Sequence, residues 1–320
     1  MDKMNLLVLL SVDTEQKKRL ESIASGCTVV YADPEEVTEE QVTRANIILG
    51  NPPAAMIRGS ENLKLLQLES AGTDAYLAPG VLNAKTALCN ATGAYGPAVS
   101  EHAFALTVML MKKLNLYRDA QRESRWSDYG TVASLSRATV LVVGLGDIGL
   151  RYARMCKAMG AYVIGVKRRA GACPEGVDEL ELTENIDRVL PRADVVFSIL
   201  PNTGSTVHFY TDERFAEMKN TAYFINCGRG NAVDGEVLLR ALQKGEIAGA
   251  AVDVTDPEPL PAESPLWKEE KLVITPHISG GHHLPETFER IVDIACENLQ
   301  HCLNGEALRN VVDMATGYKK

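Results

Sequence analysis

No stretch of this sequence approaches the roughly 20 consecutive apolar residues that a membrane-spanning helix requires. The longest early run, LLVLLSV (Leu6 to Val12), follows one lysine and leads into Asp13 and Glu15 without a small-residue cleavage site, so it reads as a buried strand and not as a signal peptide. A second run, AFALTVMLM (Ala103 to Met111), is about half the length of a membrane helix. Positive charge is also in deficit. Lys and Arg number 33 against 42 Asp and Glu, a net charge of −9. General affinity for nucleic acid or an anionic membrane is thereby excluded, because counterion release needs a basic surface, and any basic patch must be local. C-x-x-C pairs are missing too: Cys27, Cys89, Cys156, Cys173, Cys227, Cys296 and Cys302 are scattered and odd in number. That pattern argues against a zinc site and suits a reducing cytoplasm, with thiols acting as small apolar residues. No metal is expected. Tandem repeats and low-complexity tracts are absent.

What is present is ordinary globular material, 46% hydrophobic and 23% charged, and 320 residues suffice for two domains with separate cores. From Asn5 to about Asn90 short apolar runs (LLVLLSV, TVVYA, NIILG, LKLLQLES) alternate with helix-length polar segments (TEQKKRLESIAS, PEEVTEEQVTRA). Such alternation predicts a parallel sheet with helices on its faces. NATGAYGP (Asn90 to Pro97) interrupts it with two glycines and a proline and reads as an interdomain crossing. SEHAFALTVMLMKKLNLYRDAQRESRW follows from Ser100, free of Gly and Pro, and predicts one long helix fit to pack domains or subunits together. The alternation then restarts: ATVLVVG, AYVIGV, DVVFSIL, TAYFIN, AGAAVDV and KLVITPH. A final helical stretch, Leu284 to Gly305, ends on Asn-Gly and could return to the first domain.

The most informative segment is GLGDIG, Gly144 to Gly149, set between the strand VLVV and an amphipathic helix. In that context the spacing is a dinucleotide-binding turn. Gly144 permits the tight turn, Gly146 admits a pyrophosphate to the backbone, and Gly149 lets helix and strand pack closely; Asp147 and Ile148 supply the first helical amides. The next strand ends on Lys167, followed by Arg168 and Arg169, where an acidic residue would hold a ribose diol. Cations there attract a 2′-phosphate. NADP(H) is therefore the expected cofactor, with NAD(H) also accepted should the bases face water.

Three further stretches supply an acid-base set. NCGRG places Arg229 after the strand TAYFIN, DVTDPEPLP carries Glu258, and TPHISGG carries His277 after KLVIT. Arginine can clamp a carboxylate and polarise the neighbouring oxygen, while histidine exchanges a proton with a carbinol oxygen near neutral pH. Glu258 would orient the imidazole and favour the imidazolium that donates during carbonyl reduction. Each residue alone has a plainer reading, as a cap, an exposed acid or a core histidine. Their joint arrival behind a dinucleotide turn points to a site.

These stretches, with ESAGTDAYL, YGPAVSEHA and LPNTGSTVHFY, make the whole chain resemble the D-isomer specific 2-hydroxyacid dehydrogenase family. The resemblance implies an α/β architecture of two Rossmann-like or flavodoxin-like parallel-sheet domains with a hinge cleft: a substrate domain of residues 1–98 plus 284–320 and a nucleotide domain of residues 99–283. It implies that Arg229, Glu258 and His277 are catalytic, that amides of Ser70, Ala71 and Gly72 receive a substrate carboxylate, and that Asp253 meets the nicotinamide amide. Pro201 and Thr203 fall in a loop beside the cofactor, and Cys227 and Gly228 count with the cofactor-binding residues. Cys227 reads as a small buried residue and not a nucleophile. Family members are commonly homodimers joined through the nucleotide domain and its long helix. Lys167 departs from the Asp of many members and resembles the glyoxylate and hydroxypyruvate reductase branch, whose substrates are small 2-keto or D-2-hydroxy acids. A D-3-phosphoglycerate dehydrogenase-like enzyme is the nearest alternative, although ESAGTDAYL offers no base for a substrate phosphate, and Arg58 and Lys64 have no assigned direction. A formate dehydrogenase would carry an amide in place of Glu258. A non-enzymatic dinucleotide-sensing scaffold of the same fold is the third alternative. His282 and His283 read as surface residues near the hinge, and Glu101–His102 as no metal pair, since adjacent helical residues point to different faces.

Overall fold

The structure, a computed structural model, describes residues 3–281, 283–315 and 317. The chain divides into two compact units, Met1–Tyr95 with Leu284–Lys320, and Gly96–His283. The sequence reading put the crossing at 98/99; Gly96 and Pro97 already belong to a helix of the second unit.

In the first unit five parallel strands, β1 (Asn5–Val8), β2 (Thr28–Tyr31), β3 (Ile47–Leu49), β4 (Leu65–Gln67) and β5 (Ala87–Cys89), lie in the order β2-β1-β3-β4-β5. This is the flavodoxin-like order. The unbroken apolar run at the amino end follows from burial on both faces. Leu6 and Val8 point to one side, against Ile291, Val292, Ala295 and Leu299 of the helix Pro285–Asn304; Leu7 and Leu9 point to the other, against Val42 and Ile57. A buried polar clamp ties the C-terminal segment to this sheet. Asn298 Nδ2 donates to Gln67 Oε1 at 2.5 Å and to the Arg309 carbonyl at 2.9 Å, while the Arg309 amide returns to Asn298 Oδ1 at 2.7 Å. Capping boxes start the helices Thr14–Ile23 (Asp13 with Gln16) and Glu39–Arg44 (Thr38 with Gln41).

The second unit carries seven parallel strands: β6 (Thr139–Val143), β7 (Tyr162–Lys167), β8 (Glu179–Leu182), β9 (Val195–Ser198), β10 (Tyr223–Asn226), β11 (Gly249–Val252) and β12 (Leu272–Ile274). Their order is β8-β7-β6-β9-β10-β11-β12, the doubly wound arrangement in which the sheet changes direction between β6 and β9. One face is closed by a ring cluster in which Phe224 lies 4.8 Å from Tyr210 and 5.3 Å from Phe215 between centroids. Toward the other, Tyr152 packs at a tilt against Phe197, centroids 4.2 Å apart, and its hydroxyl meets Thr107 Oγ1 at 2.7 Å.

The expected single long helix is in fact two, Gly96–Met111 and Leu114–Arg122. A continuing helix would hand the Met111 carbonyl to the amide four residues on. Here that carbonyl accepts the Ala133 amide at 3.1 Å, Lys112 Nζ donates to the Ala133 carbonyl at 2.7 Å, and Lys113 turns left-handed at φ 56°. The break is a tertiary contact, invisible in local composition.

Truncation of the ring cluster tests this packing. Phe224→Ala should cost about 3–5 kcal/mol, read as a lowered urea midpoint, whereas Val30→Ala on the exposed edge strand should cost less than about 1 kcal/mol.

Candidate active site

In the second unit the candidate residues converge because they follow the carboxyl ends of adjacent strands, where parallel sheets place their ligands. The turn after β6 is shaped by glycine. A Cβ on Gly144, at φ 109°, would meet the Ile199 carbonyl oxygen at 2.7 Å, and one on Gly149 would fall 2.0 Å from the Gly144 carbonyl oxygen. A Cβ on Gly146 would meet nothing within 4 Å. Two glycines therefore serve packing, and the third leaves open space before the helix Asp147–Ala158, whose N-cap, Gly146 itself, makes no side-chain cap bond. These features fit a dinucleotide pyrophosphate. Asp147 would repel it if aimed outward; its Oδ1 instead accepts Arg151 Nε at 3.0 Å, along the helix side. Ile148 occupies the first helical turn.

Lys167 closes β7 half-buried, and Arg168 and Arg169 are exposed beyond it. Pro201 and Thr203 follow β9 in a loop cross-linked by Thr206, whose hydroxyl lies 2.6 Å from the Pro201 carbonyl and 2.8 Å from the Thr203 amide.

After β10, fully buried Asn226 shapes the next loop. Its Oδ1 accepts the Gly228 amide at 3.1 Å and its Nδ2 donates to the Arg229 carbonyl at 3.0 Å. Half-buried Arg229 donates from Nη1 to the Gly228 carbonyl at 2.9 Å. A Cβ at Gly230 would stand 1.9 Å from the Thr255 carbonyl oxygen, so this loop and the one bearing Glu258 are in direct backbone contact. The Glu258 carboxylate divides its work: Oε1 accepts the Thr255 amide at 2.9 Å, and Oε2 meets His277 Nδ1 at 2.8 Å. Because a carboxylate accepts, Nδ1 carries hydrogen and Nε2 remains for exchange with a ligand.

Asp253, expected at the nicotinamide amide, lies at the foot of the histidine loop. Its side chain has 0% exposure and holds the histidine loop, Oδ1 accepting the Ile278 amide and Oδ2 the Ser279 amide, each at 3.0 Å. Cys227 is likewise buried at 7% exposure, and burial drives its thiol far above the ordinary range. His283 is exposed, while His282 lies outside the described residues. Among the described residues no group of His, Cys, Asp and Glu could hold a metal ion, and no helix is long and apolar enough to cross a membrane.

In the first unit the candidate residues Ser70, Ala71 and Gly72 follow β4. Four consecutive carbonyls are held there: Glu69 by the Tyr95 hydroxyl at 2.6 Å, Ser70 by the Ala91 amide at 3.0 Å, Ala71 by Asn90 Nδ2 at 2.8 Å, and Gly72 by Ser70 Oγ at 2.7 Å. In a planar trans peptide the N–H opposes the preceding C=O. Anchoring these carbonyls therefore aims the amides of residues 70 to 73. Asn51 adds a brace, accepting the Glu69 amide at 3.0 Å and donating to Ser70 Oγ at 3.1 Å. Burial and Glu69 push the Tyr95 phenol up, which keeps it a donor. Sequence reasoning missed Asn51, Asn90, Asn226 and Thr275, because nothing in local spacing marks a side chain that serves a loop distant along the chain.

The family model for the D-isomer specific 2-hydroxyacid dehydrogenase NAD binding domain matches residues 104–279, more than half of the chain. The chain belongs to the D-isomer specific 2-hydroxyacid dehydrogenase family. It is similar along its length to glyoxylate/hydroxypyruvate reductase B of Enterobacter sp., with 29% identity over 97% of this chain and 98% of the relative. Among solved structures, the D-isomer specific 2-hydroxyacid dehydrogenase of Xanthobacter autotrophicus Py2, in complex with NADPH and MES, superposes with a TM-score of 0.84 at 29% identity, covering 99% of this chain and 100% of that one. The NADPH-dependent glyoxylate/hydroxypyruvate reductase of Sinorhizobium meliloti, in complex with NADP and sulfate, gives a TM-score of 0.84 at 25% identity, covering 99% and 100%. Family membership makes the protein an NAD(P)-dependent oxidoreductase acting on 2-hydroxy acids and their keto forms.

Thiol chemistry checks the reading of the cysteines, all seven of which are free. Burial pushes Cys89 and Cys156 up to about 12 and Cys227 higher still, so at pH 8 their thiolates are scarce. Brief iodoacetamide treatment followed by peptide mass spectrometry should label exposed Cys173 and spare those three until the protein is denatured. Early labelling of Cys227 would return it to consideration as a reactive group.

Proposed function

We propose that the protein is an NADP(H)-preferring reductase of small 2-keto acids, glyoxylate and hydroxypyruvate among them, that yields the D-2-hydroxy acid with His277 as proton donor. The observation that carries this reading is the His277–Glu258 contact of 2.8 Å at the carboxyl edge of a dinucleotide-binding sheet. When bound, the dihydronicotinamide supplies the hydride. The chain's own residues do the rest. Amides of Ser70, Ala71 and Gly72 receive the substrate carboxylate, and Arg229 polarises the keto oxygen. His277, oriented through Nδ1 by Glu258, gives its Nε2 proton to the oxygen as the carbinol forms. Gly144, Gly146, Gly149 and the helix beginning at Asp147 hold the pyrophosphate, with Pro201, Thr203, Cys227 and Gly228 in the loops beside it. Lys167, Arg168 and Arg169 take the 2′-phosphate. The Enterobacter and Sinorhizobium relatives, both glyoxylate/hydroxypyruvate reductases, support the substrate class, and the NADPH and NADP complexes support the cofactor. The proposal includes a homodimer joined through the nucleotide-binding unit, and a cytoplasmic setting that suits seven free thiols.

Fluorescence titration with NADPH and NADH tests the cofactor. NADPH should bind about tenfold or more tightly, and the preference should vanish in Lys167→Ala/Arg168→Ala. Equal or tighter NADH binding would mean that the bases face water. For the proton donor, His277→Ala should lower kcat for glyoxylate about 10²- to 10⁴-fold while NADPH affinity stays within about twofold. Near-normal turnover would remove His277 from the role.

A further inference from the structure

His102 and Thr275 take no part in the chemistry above, yet both are tied to the loop that carries His277. Thr275 directly follows β12 and Asp253 directly follows β11, neighbouring strands whose ends lie side by side. Thr275 Oγ1 donates to Asp253 Oδ1 at 2.5 Å. A hydroxyl has one proton. With that proton given to the carboxylate, Thr275 can only accept from His102, whose Nε2 stands 3.0 Å from Oγ1 and 3.7 Å from Asp253 Oδ1. His102 must therefore carry hydrogen on Nε2, and the string has one direction, from imidazole to hydroxyl to carboxylate. Beyond the carboxylate it continues into the backbone. Asp253 holds the Ile278 and Ser279 amides through its side chain, and its carbonyl accepts the His277 amide at 2.7 Å. His277 itself sits at φ 51°, in the left-handed region that a residue with a Cβ adopts only when its surroundings impose it. Three consecutive amides bonded to Asp253, that of His277 also reaching the Thr275 carbonyl at 3.0 Å, are what impose it.

We propose that His102, acting through Thr275 and Asp253, is a positioning residue for the reaction: its N–H fixes the carboxylate that holds His277 in its left-handed backbone. The inference rests on His277 being the proton donor. It also gives a use to a histidine on the helix Gly96–Met111 that a metal-pair reading of Glu101 and His102 would misplace.

The test uses the full chain in two matched pairs, with glyoxylate and NADPH as substrates and amide hydrogen exchange as a readout independent of turnover. Thr275→Val and His102→Leu remove a link. Thr275→Ser keeps the hydroxyl, and His102→Gln keeps an N–H donor. The first two should lose about tenfold or more in kcat with KM within about threefold, since misplacing a catalytic group by less than an ångström has effects of this size. They should also exchange the Ile278 and Ser279 amides about tenfold faster. Thr275→Ser and His102→Gln should restore both readouts to within about threefold of the parent. Unchanged kcat in Thr275→Val and His102→Leu would overturn the proposal, as would Ser and Gln variants as impaired as Val and Leu, because volume and not the hydrogen-bond string would then be what matters. Should Thr275→Val fail to fold, the partly exposed His102 pair decides. If the parent reduces no keto acid, the functional reading fails, and the exchange comparison still decides whether the string holds the loop.

Discussion

A carboxylate with no exposed surface has to find its hydrogen-bond donors inside the protein, and Asp253 finds them on residues 275–279. Its donors are the Thr275 hydroxyl at the end of β12 and the two amides after His277, with His102 of the helix Gly96–Met111 behind them. Removing any one leaves a buried charge with fewer partners, so the arrangement is cooperative. The sheet brings the strand ends together, and this one group converts that proximity into a defined loop.

The first unit solves a similar problem with the roles exchanged. There the groups proposed to bind are backbone amides, which have no rotamers and take their direction from the peptide plane. Side chains on neighbouring loops, Asn90 and Tyr95, seize two of the carbonyls, while Ser70 and the Ala91 amide seize two others. In both units the proposed chemistry lies on loops and the rigidity comes from buried or half-buried amides, hydroxyls and carboxylates. Such residues lack the acid-base character that draws attention in a sequence, and their loss would be felt as misdirection of a neighbour.

The legible and illegible parts of the sequence divide along that line. GLGDIG was readable because sterics at Gly144 and Gly149 leave no alternative to glycine, and NCGRG, DPEP and TPHISGG because each lies at or within a few residues of the end of a strand. Two strands escaped notice. TALCN holds three strand residues, and ELEL, at the sheet edge, alternates charge with leucine and lacks the apolar run of its neighbours. The division of the long helix at Lys112–Lys113 depends on the return of Ala133, some twenty residues later, which no local window contains. The partners that Asp253 has within the chain, Thr275, Ile278 and Ser279, lie at and just past a strand end whose proximity only the register of β11 with β12 reveals.

The exposure of the proposed proton donor makes this hidden support necessary. The side chains of His277 and Glu258 are 50% and 37% exposed, so their mutual attraction is screened and is worth about 0–1 kcal/mol. That is comparable to the cost of fixing one rotatable side chain and below the cost of ordering a loop residue, about 1–2 kcal/mol. The pair cannot hold itself in place. Exposure is nonetheless what the chemistry asks of it, since a group that passes a proton to a bound ligand must be reachable. A donor that is open at its tip can be exact in direction only if its backbone is fixed from behind, in a region that water does not reach. Asp253 and the Thr255–Glu258 loop meet that requirement, the first by taking the three amides around His277 and the second by bonding Glu258 to its own backbone before it meets the imidazole.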